Sequence, residues 1–233
     1  MIFDFHIHSK YSFDSILEPK KIIKVAKKRG LDGIAITDHN TIKGGLEAEK
    51  INKDQDFLVI VGSEISTEVG DIIGLFLSEE IRSRNSMEVV EEIKDQGGIV
   101  VLPHPYRGHK LNDEIVRKVD VIEGFNARSS KVENEKSMKL AKRYDKPTIA
   151  GSDAHFASEI GRGISTITKK DKNEDMRKLM LKCQIDENNT LSPLYLQSFS
   201  QVIKSIKMRK YKTIPLQFIG LIMNLVREKW AKK

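Results

Sequence analysis

The sequence predicts an α/β fold closed into a small, distorted β/α barrel, and three observations predict it. Short apolar runs that read as strands alternate with helical patterns, joined by turns of a few residues, as the crossovers of a parallel sheet require. Six or seven such repeats fit within about 185 residues, which suits a barrel better than an open sheet. Five of the six histidines (His6, His8, His39, His104 and His155) stand just past a strand-like run, and barrel enzymes collect their polar side chains at that end of the strands.

Residues 1–8 form the first expected strand, with Phe5 and Ile7 on one face and His6 and His8 together on the other, Asp4 behind them. A polar loop carries Tyr11, Ser12 and Asp14. Pro19 then opens a helix where its missing N–H costs little, Ile22, Ile23, Val25 and Ala26 supply its apolar stripe, and Gly30 ends it. Residues 33–37 are wholly apolar, as in a strand buried on both faces. A helix follows over about 41–52, a strand over 57–61, and a strand pair or extended piece over 68–77. Asn85 or Ser86 caps a helix over 87–96, stopped by Gly97 and Gly98, and residues 99–102 are the next strand. Beyond lie a short helix over 111–118, a strand over 119–125 and a helix over 133–144 with Met138, Leu140 and Ala141 inward. Strands over 148–150 and 163–168 and a helix over 173–183 complete the unit.

Composition narrows the possibilities. A hydrophobic fraction of 39% is enough for a core. The single cysteine, Cys183, excludes an intrachain disulfide and fits a reducing compartment. No apolar run approaches the roughly 18 residues of a spanning helix, and no signal peptide is apparent, so a cytoplasmic protein is expected. The net charge of +7 belongs to the tail: residues 190–233 hold nine Lys and Arg against Glu228 alone, which is +8 and leaves −1 for residues 1–189. Nucleic-acid affinity therefore does not follow for the barrel from the charge balance.

The polar residues behind the strands are of metal-ligand type. Neutral imidazoles paired at i and i+2 suit a divalent ion, and Asp153 and His155 repeat that spacing after another strand. Asp38 and His39 are adjacent and cannot both enter one site, so His39 is the expected ligand, with Asp38 supporting it or the strand end. Glu64, in Gly62-Ser63-Glu64, can bridge two ions through its two oxygens. His6, His8, Asp14, His39, Glu64, His104, Asp153 and His155 are more donors than one ion accepts, which implies two or three. Neighbouring divalent ions suit phosphate-ester hydrolysis. Arg107 and Arg128 follow strand-end motifs and are either a bidentate phosphate clamp or members of surface salt bridges.

Seven segments in order resemble the motifs of the PHP family, named for polymerase and histidinol phosphatase. They are Phe5-His6-Ile7-His8-Ser9, Ser12-Phe13-Asp14, Ile36-Thr37-Asp38-His39, Gly62-Ser63-Glu64-Ile65, Pro103-His104-Pro105-Tyr106-Arg107, Glu123-Gly124-Phe125-Asn126-Ala127-Arg128 and Gly151-Ser152-Asp153-Ala154-His155. The resemblance, over residues 2 to about 185, implies a distorted seven-stranded barrel, two or three Zn, Mn or Fe ions, and phosphoesterase activity with Glu64, Asp153 and His155 as catalytic residues. It assigns His6, His8, Glu64 and Asp153 to a first ion, Glu64 and His104 to a second, and Asp14, His39 and His155 to a third. One departure stands out: many members carry a histidine ahead of the run matching Ile72-Ile73-Gly74-Leu75, and here Asp71 occupies that place, as an oxygen ligand or as a turn residue.

Two units are expected, a barrel over 1–189 and a helical extension over 190–233. Phe199, Val202, Ile203 and Ile206 are spaced for a helix. Pro215 interrupts, and an apolar helix from Phe218 to Trp230 ends in Arg227, Lys229, Lys232 and Lys233. The extension is read as a helix packed on the barrel, as a peripheral membrane-surface contact, or as an RNA or partner contact. The expected substrate is a small phosphorylated molecule or a short oligonucleotide. The competing readings are a nucleic-acid scaffold like the barrel subunit of ribonuclease P, which lacks the metal motifs kept here, and a metallohydrolase acting on amides or non-phosphate esters.

Overall fold

The structure is a computed structural model that describes residues 1–168 and 175–231, the last five of these by backbone alone. In chain order the elements are β1 (Ile2–Ile7), α1 (Pro19–Lys28), β2 (Gly33–His39), α2 (Lys43–Ile51), β3 (Leu58–Thr67), β4 (Gly70–Leu75), α3 (Ser86–Asp95), β5 (Ile99–Leu102), α4 (Asp113–Lys118), β6 (Val121–Asn126), α5 (Lys131–Tyr144), β7 (Thr148–Gly151), β8 (Ser165–Thr166), α6 (Met176–Met180), β9 (Gln184–Ile185), α7 (Leu194–Lys207) and α8 (Ile214–Ala231). The start of the helix expected at Asn173, the side chains of Arg227, Lys229 and Trp230, and all of Lys232 and Lys233 lie outside the described residues.

The described strands form one sheet in the order β7-β6-β5-β4-β3-β2-β1-β8-β9. That is nine strands rather than seven. The two beyond seven, β8 and β9, are two-residue strands at one edge; β8 falls inside the strand expected over 163–168, and β9 is too short to show as a pattern in sequence. The sheet curls until its two sides meet: Ile7 at the end of β1 bridges Ala154 just past β7, and His8 N donates to Ala154 O at 2.9 Å. The barrel is therefore nearly closed, and β1 divides its backbone between β8 at its start and the β7 side at its end.

Besides the short edge strand β8, which is antiparallel to β1, one strand runs backwards. β1–β2, β2–β3, β5–β6 and β6–β7 pair parallel, while β4 pairs antiparallel to both β3 and β5. The cause is local: two residues, Glu68 and Val69, join β3 to β4, far too few for a crossover helix, and Gly70 takes φ +126 where an L side chain is strained. A consequence is that Asp71, at the beginning of β4, lies opposite Ser66 at the rim where the parallel strands end.

Phe3 and Phe5, stacked at 5.4 Å, join Ala35, Ile60, Ile73, Val101, Val121 and Ile149 in the barrel interior. Ile7 instead packs outside with Leu17, Ile22 and Ile36 under α1. The expected shared face of Phe5 and Ile7 thus fails, because the β1–β2 register shifts between Asp4 and Ile7. Burial of each such large apolar side chain contributes roughly 1.5–3 kcal/mol. The helices are set by their caps: Asn85 accepts from the backbone N of Met87 and Glu88, Asn112 from Ile115, and Ser130 with Glu133 closes a capping box on α5. On α5 Leu140 and Ala141 are buried as expected, whereas Met138 is exposed.

The tail begins as part of the rim. α7 buries Ser200, Val202, Ile203 and Ser205, and Lys207 Nζ donates to the backbone carbonyls of Lys10, Ser12 and Ser15 in the loop that carries Asp14. Phe199 and Ile206 of the expected apolar stripe are exposed. Pro215 does not interrupt a helix but sits in the first turn of α8, where no N–H is missed. α8 packs on α7 through Leu221 and through Asn224 to Ser198, and leaves Leu216, Phe218, Ile219, Ile222, Met223, Leu225 and Val226 exposed.

Candidate metal centre

All eight donors singled out in the sequence meet at the rim of the barrel. His6 and His8 come from the end of β1, His39 from the end of β2, Glu64 from β3, His104 from just past β5, and Asp153 and His155 from just past β7. Asp14 joins them from the loop after β1. His104 and Asp153 have φ of 27° and 53°, a conformation costly for such residues that aims their side chains inward. Asp38 is not in the centre. It accepts from Ser9 N and Ser9 Oγ, each at 2.6 Å, and from Ser12 Oγ at 2.8 Å, and so supports the site as expected.

The tautomers of the first pair follow from their partners. Glu123 accepts from His6 Nδ1 at 2.9 Å. Ser12 Oγ spends its proton on Asp38 and so accepts from His8 Nδ1, also at 2.9 Å. In their neutral forms both Nε2 atoms then carry lone pairs, and they face each other at 3.1 Å. Glu64 Oε2 lies 3.4 and 3.3 Å from them, and Asp153 Oδ1 3.8 and 3.2 Å. With both rings neutral, four acceptors converge with no donor among them, an arrangement that a cation satisfies.

Glu64 is placed to bridge. Its Oε1 lies 2.8 Å from His104 Nε2, while its Oε2 faces His6, His8 and, at 3.2 Å, His39 Nδ1. Asp14 Oδ2 lies 3.1 Å from His155 Nε2 and 3.4 Å from His39 Nε2, and His155 Nδ1 donates to the carbonyl of Asp153 at 2.8 Å. Asp14 Oδ1, His39 Nδ1 and His104 Nδ1 are buried without hydrogen bonds. Divalent ions fit this donor set: His8, Asp14, His39 and His155 form one group, His6, His8 and Glu64 a second, and His6, His104 and Asp153 a third, each with donor atoms within 4.8 Å of one another.

Electrostatics agree. Burial alone would raise the carboxyls of Glu64 and Asp153, but His39 and His6 beside the one, and Arg107 and His6 beside the other, hold both well below the carboxylate range. Burial would likewise raise Asp14, and His155 and His39 reverse it. Burial would lower His8, but Asp153 and Glu64 push it up to about 9. Asp71 is pushed up by burial and by Glu64.

The two arginines differ. Arg107 pairs with Asp153 Oδ2 and donates to Asn126 Oδ1 at 3.2 Å, while keeping a third of its side chain accessible. Arg128 is buried, with Nε and Nη2 on the two oxygens of Glu159 at 2.9 and 2.7 Å and Nη1 on Ser200 Oγ at 2.8 Å. Its fork is thus occupied, and Glu159 in turn accepts from the backbone N of His155 and Phe156. Both arginines line the pocket of about 190 Å³ over the donors, together with Gln197 and Gln201 of α7. A larger cavity of about 800 Å³ adjoins it across Arg107, Arg128 and Gln197, walled further by Lys131, Arg162 and Ser129.

Sequence reading missed Glu123, His109 and the reach of Gln197 and Gln201 from α7 into the pocket. Glu123 stood inside a quoted motif but reaches His6 from behind. His109 is the sixth histidine and follows no strand. It groups with Asp71 and His104, and burial, with His104 close by, holds its ring down to about 3.

A sequence profile of the PHP domain matches residues 4–190. The chain belongs to the PHP domain family. Among its relatives, MJ1587 of Methanocaldococcus jannaschii is 47% identical over 138 residues, which are 53% of this chain and 81% of that protein. The probable histidinol-phosphatase of Thermotoga maritima is 26% identical over 210 residues, covering 72% of this chain and 90% of its own. In three dimensions the chain is similar to a two-domain protein from Bacteroides vulgatus described as containing a PHP-like metal-dependent phosphoesterase, with a TM-score of 0.64 at 20% identity over 81% of this chain. This chain spans 63% of that one. The shared fold is the barrel described above.

Proposed function

We propose that this PHP domain is a metal-dependent phosphoesterase that hydrolyses a small phosphorylated substrate at a centre of two or three Zn, Mn or Fe ions. The observation that carries the reading is the buried convergence of His6 Nε2, His8 Nε2, Glu64 Oε2 and Asp153 Oδ1, all of them atoms of metal-ligand type, within 3.8 Å of one another across the His–carboxylate pairs. His6, His8, Glu64 and Asp153 would hold the first ion, Glu64 and His104, with Asp71 replacing the usual histidine, the second, and Asp14, His39 and His155 the third. Bound divalent ions would supply Lewis acidity toward the phosphoryl oxygens and lower the pKa of water.

The chain's own residues do the rest. Glu64, Asp153 and His155 fix the reacting groups by their positions around the centre, with His155 held in one tautomer by the Asp153 carbonyl. Arg107 offers its accessible guanidinium to the phosphate, and Arg128 adds charge to the same wall while its fork holds Glu159. The adjoining 800 Å³ cavity takes the leaving group. The T. maritima relative's name supports a phosphomonoester, and a short oligonucleotide would use the same cavity. A screen of purified, metal-replete protein over phosphomonoesters, nucleotides, oligonucleotides, amides and carboxyl esters tests it. Phosphate release abolished by chelation is expected, and hydrolysis of carboxyl compounds alone would overturn it.

For the extension we propose peripheral attachment to an anionic membrane surface, in a cytoplasmic setting. The observation is the row of exposed apolar side chains on α8, from Leu216 to Val226, beside the basic cluster Arg209, Lys210 and Lys212. Among the described residues no helix is long and apolar enough to cross a membrane.

A further inference from the structure

We infer that His109 is a metal ligand, which with His104 and Asp71 completes the second ion's set from the loop after β5. One nitrogen of each ring and one oxygen of Asp71 lie within 4.8 Å of one another. Three donors at about 2.1 Å from one ion lie roughly 3.0–3.6 Å apart, so a contraction of at most about 1–2 Å closes the group. Both nitrogens of His109 and Nδ1 of His104 are buried without a hydrogen bond. An imidazole with no partner on either nitrogen is costly, and an ion bound to one of the His109 nitrogens lowers that cost.

The position is built rather than incidental. Lys110 N donates to Val69 O at 2.8 Å, which pins the loop to the β3–β4 turn. Gly70 leaves the space that the ring fills: a Cβ there would stand 2.6 Å from His109 Cγ and Nδ1. The rings of His104 and His109 meet edge to face at 5.4 Å. Where many family members place a histidine on the strand, this chain has Asp71, and His109 returns the missing imidazole from a different element.

The inference rests on the proposed metal centre but not on what that centre hydrolyses. The test counts Zn²⁺ per chain in the full-length protein after equilibrium loading and desalting, with no substrate present. His109→Ala is expected to lose one equivalent, or to bind it about tenfold more weakly or worse, with an unchanged melting temperature in chelator. His109→Cys loaded with Co²⁺ is expected to gain a thiolate-to-cobalt charge-transfer band that the native chain, with Cys183 alone, lacks. Gly70→Ala, which removes no donor, is expected to weaken the same equivalent. Unchanged Zn²⁺ content in His109→Ala, or no new band in His109→Cys, overturns the assignment. Failure to release phosphate from any substrate would overturn the phosphoesterase reading and leave the ligand assignment standing.

Discussion

Glu123 holds His6 from behind: its Oε1 accepts from Nδ1 of the ring at 2.9 Å, and its Oε2 accepts from the backbone N of His104 at 2.8 Å and from Asn126 Nδ2 at 2.9 Å. One carboxylate thus orients the ring of a donor proposed for the first ion and the backbone of a donor proposed for the second. Glu123→Gln must turn an NH₂ toward donors on one side or the other. It is expected to weaken metal binding by about 10–100-fold while the fold survives, as replacing carboxylates behind ligating histidines does. Calorimetric titration with Zn²⁺ checks this, and native affinity in the variant would reduce Glu123 to a packing residue.

Glu64→Gln is expected to lower both metal occupancy and kcat, kcat by about 100-fold or more, because a neutral amide cannot offset two dications. Metal analysis and steady-state kinetics on the same preparation read both effects. Asp14→Ala probes the group with His39 and His155 separately and is expected to remove one ion. Full metal content in that variant would make Asp14 structural.

The two arginines are expected to separate. Arg107→Lys should raise KM or lower kcat at native stability, since an ammonium cannot present a planar fork to phosphate. Arg128→Lys should instead cost about 1.5–3 kcal/mol of stability, because it strips paired hydrogen bonds from buried Glu159. Chemical denaturation beside kinetics decides, and a stable Arg128→Lys with raised KM would return Arg128 to the phosphate clamp.

A pH dependence follows from His8, whose ring is pushed up to about 9 because Asp153 and Glu64 outweigh burial. The ion-free fold gains fully from this charge below the ring's ordinary value of 6.5 and loses the gain as pH climbs to about 9. An ion needs the neutral ring, so at pH 7 its binding releases this proton. Apparent affinity should climb about tenfold per pH unit from 7 and flatten above 9, read by titration in buffers of different ionisation enthalpy. No proton release at pH 7 would contradict the arrangement.

Removing residues 214–233 should leave the barrel folded and active, because Leu221 is the one buried side chain among the described residues of α8. Co-sedimentation with anionic vesicles should be lost with it and should weaken with salt in the intact chain. Vesicles ignored by the intact chain, or a barrel that unfolds without α8, would end the attachment reading.

The candidate donors were legible because most of them stand at or just past the end of a strand, and strand ends are visible in sequence; Asp14 sits in the loop after β1 and Glu64 within β3. Glu123 was not legible as a site residue, since a carboxylate behind a ligand has no local pattern. His109 follows a loop, and only the fold brings it over Gly70. The antiparallel course of β4 is decided by a two-residue turn that a reading of alternating strands and helices passes over. The α7 periodicity foretold a helix, and Val202 and Ile203 are its buried stripe, yet spacing does not say which wall a helix closes. Gln197 and Gln201 therefore reach the donors without having been expected there.

Lys207 stands 17 positions beyond the last family-matched residue, yet it ties down three carbonyls of the loop that presents Asp14. A tether so placed lies outside the stretch that carries the candidate donors it steadies. Substitutions in α7 can loosen or tighten the grip on one ion while every donor stays the same. Two chains with identical motifs can then differ in how many ions they carry at a given metal supply, and a fragment trimmed to the recognisable domain would report on a different centre from the one the whole chain builds.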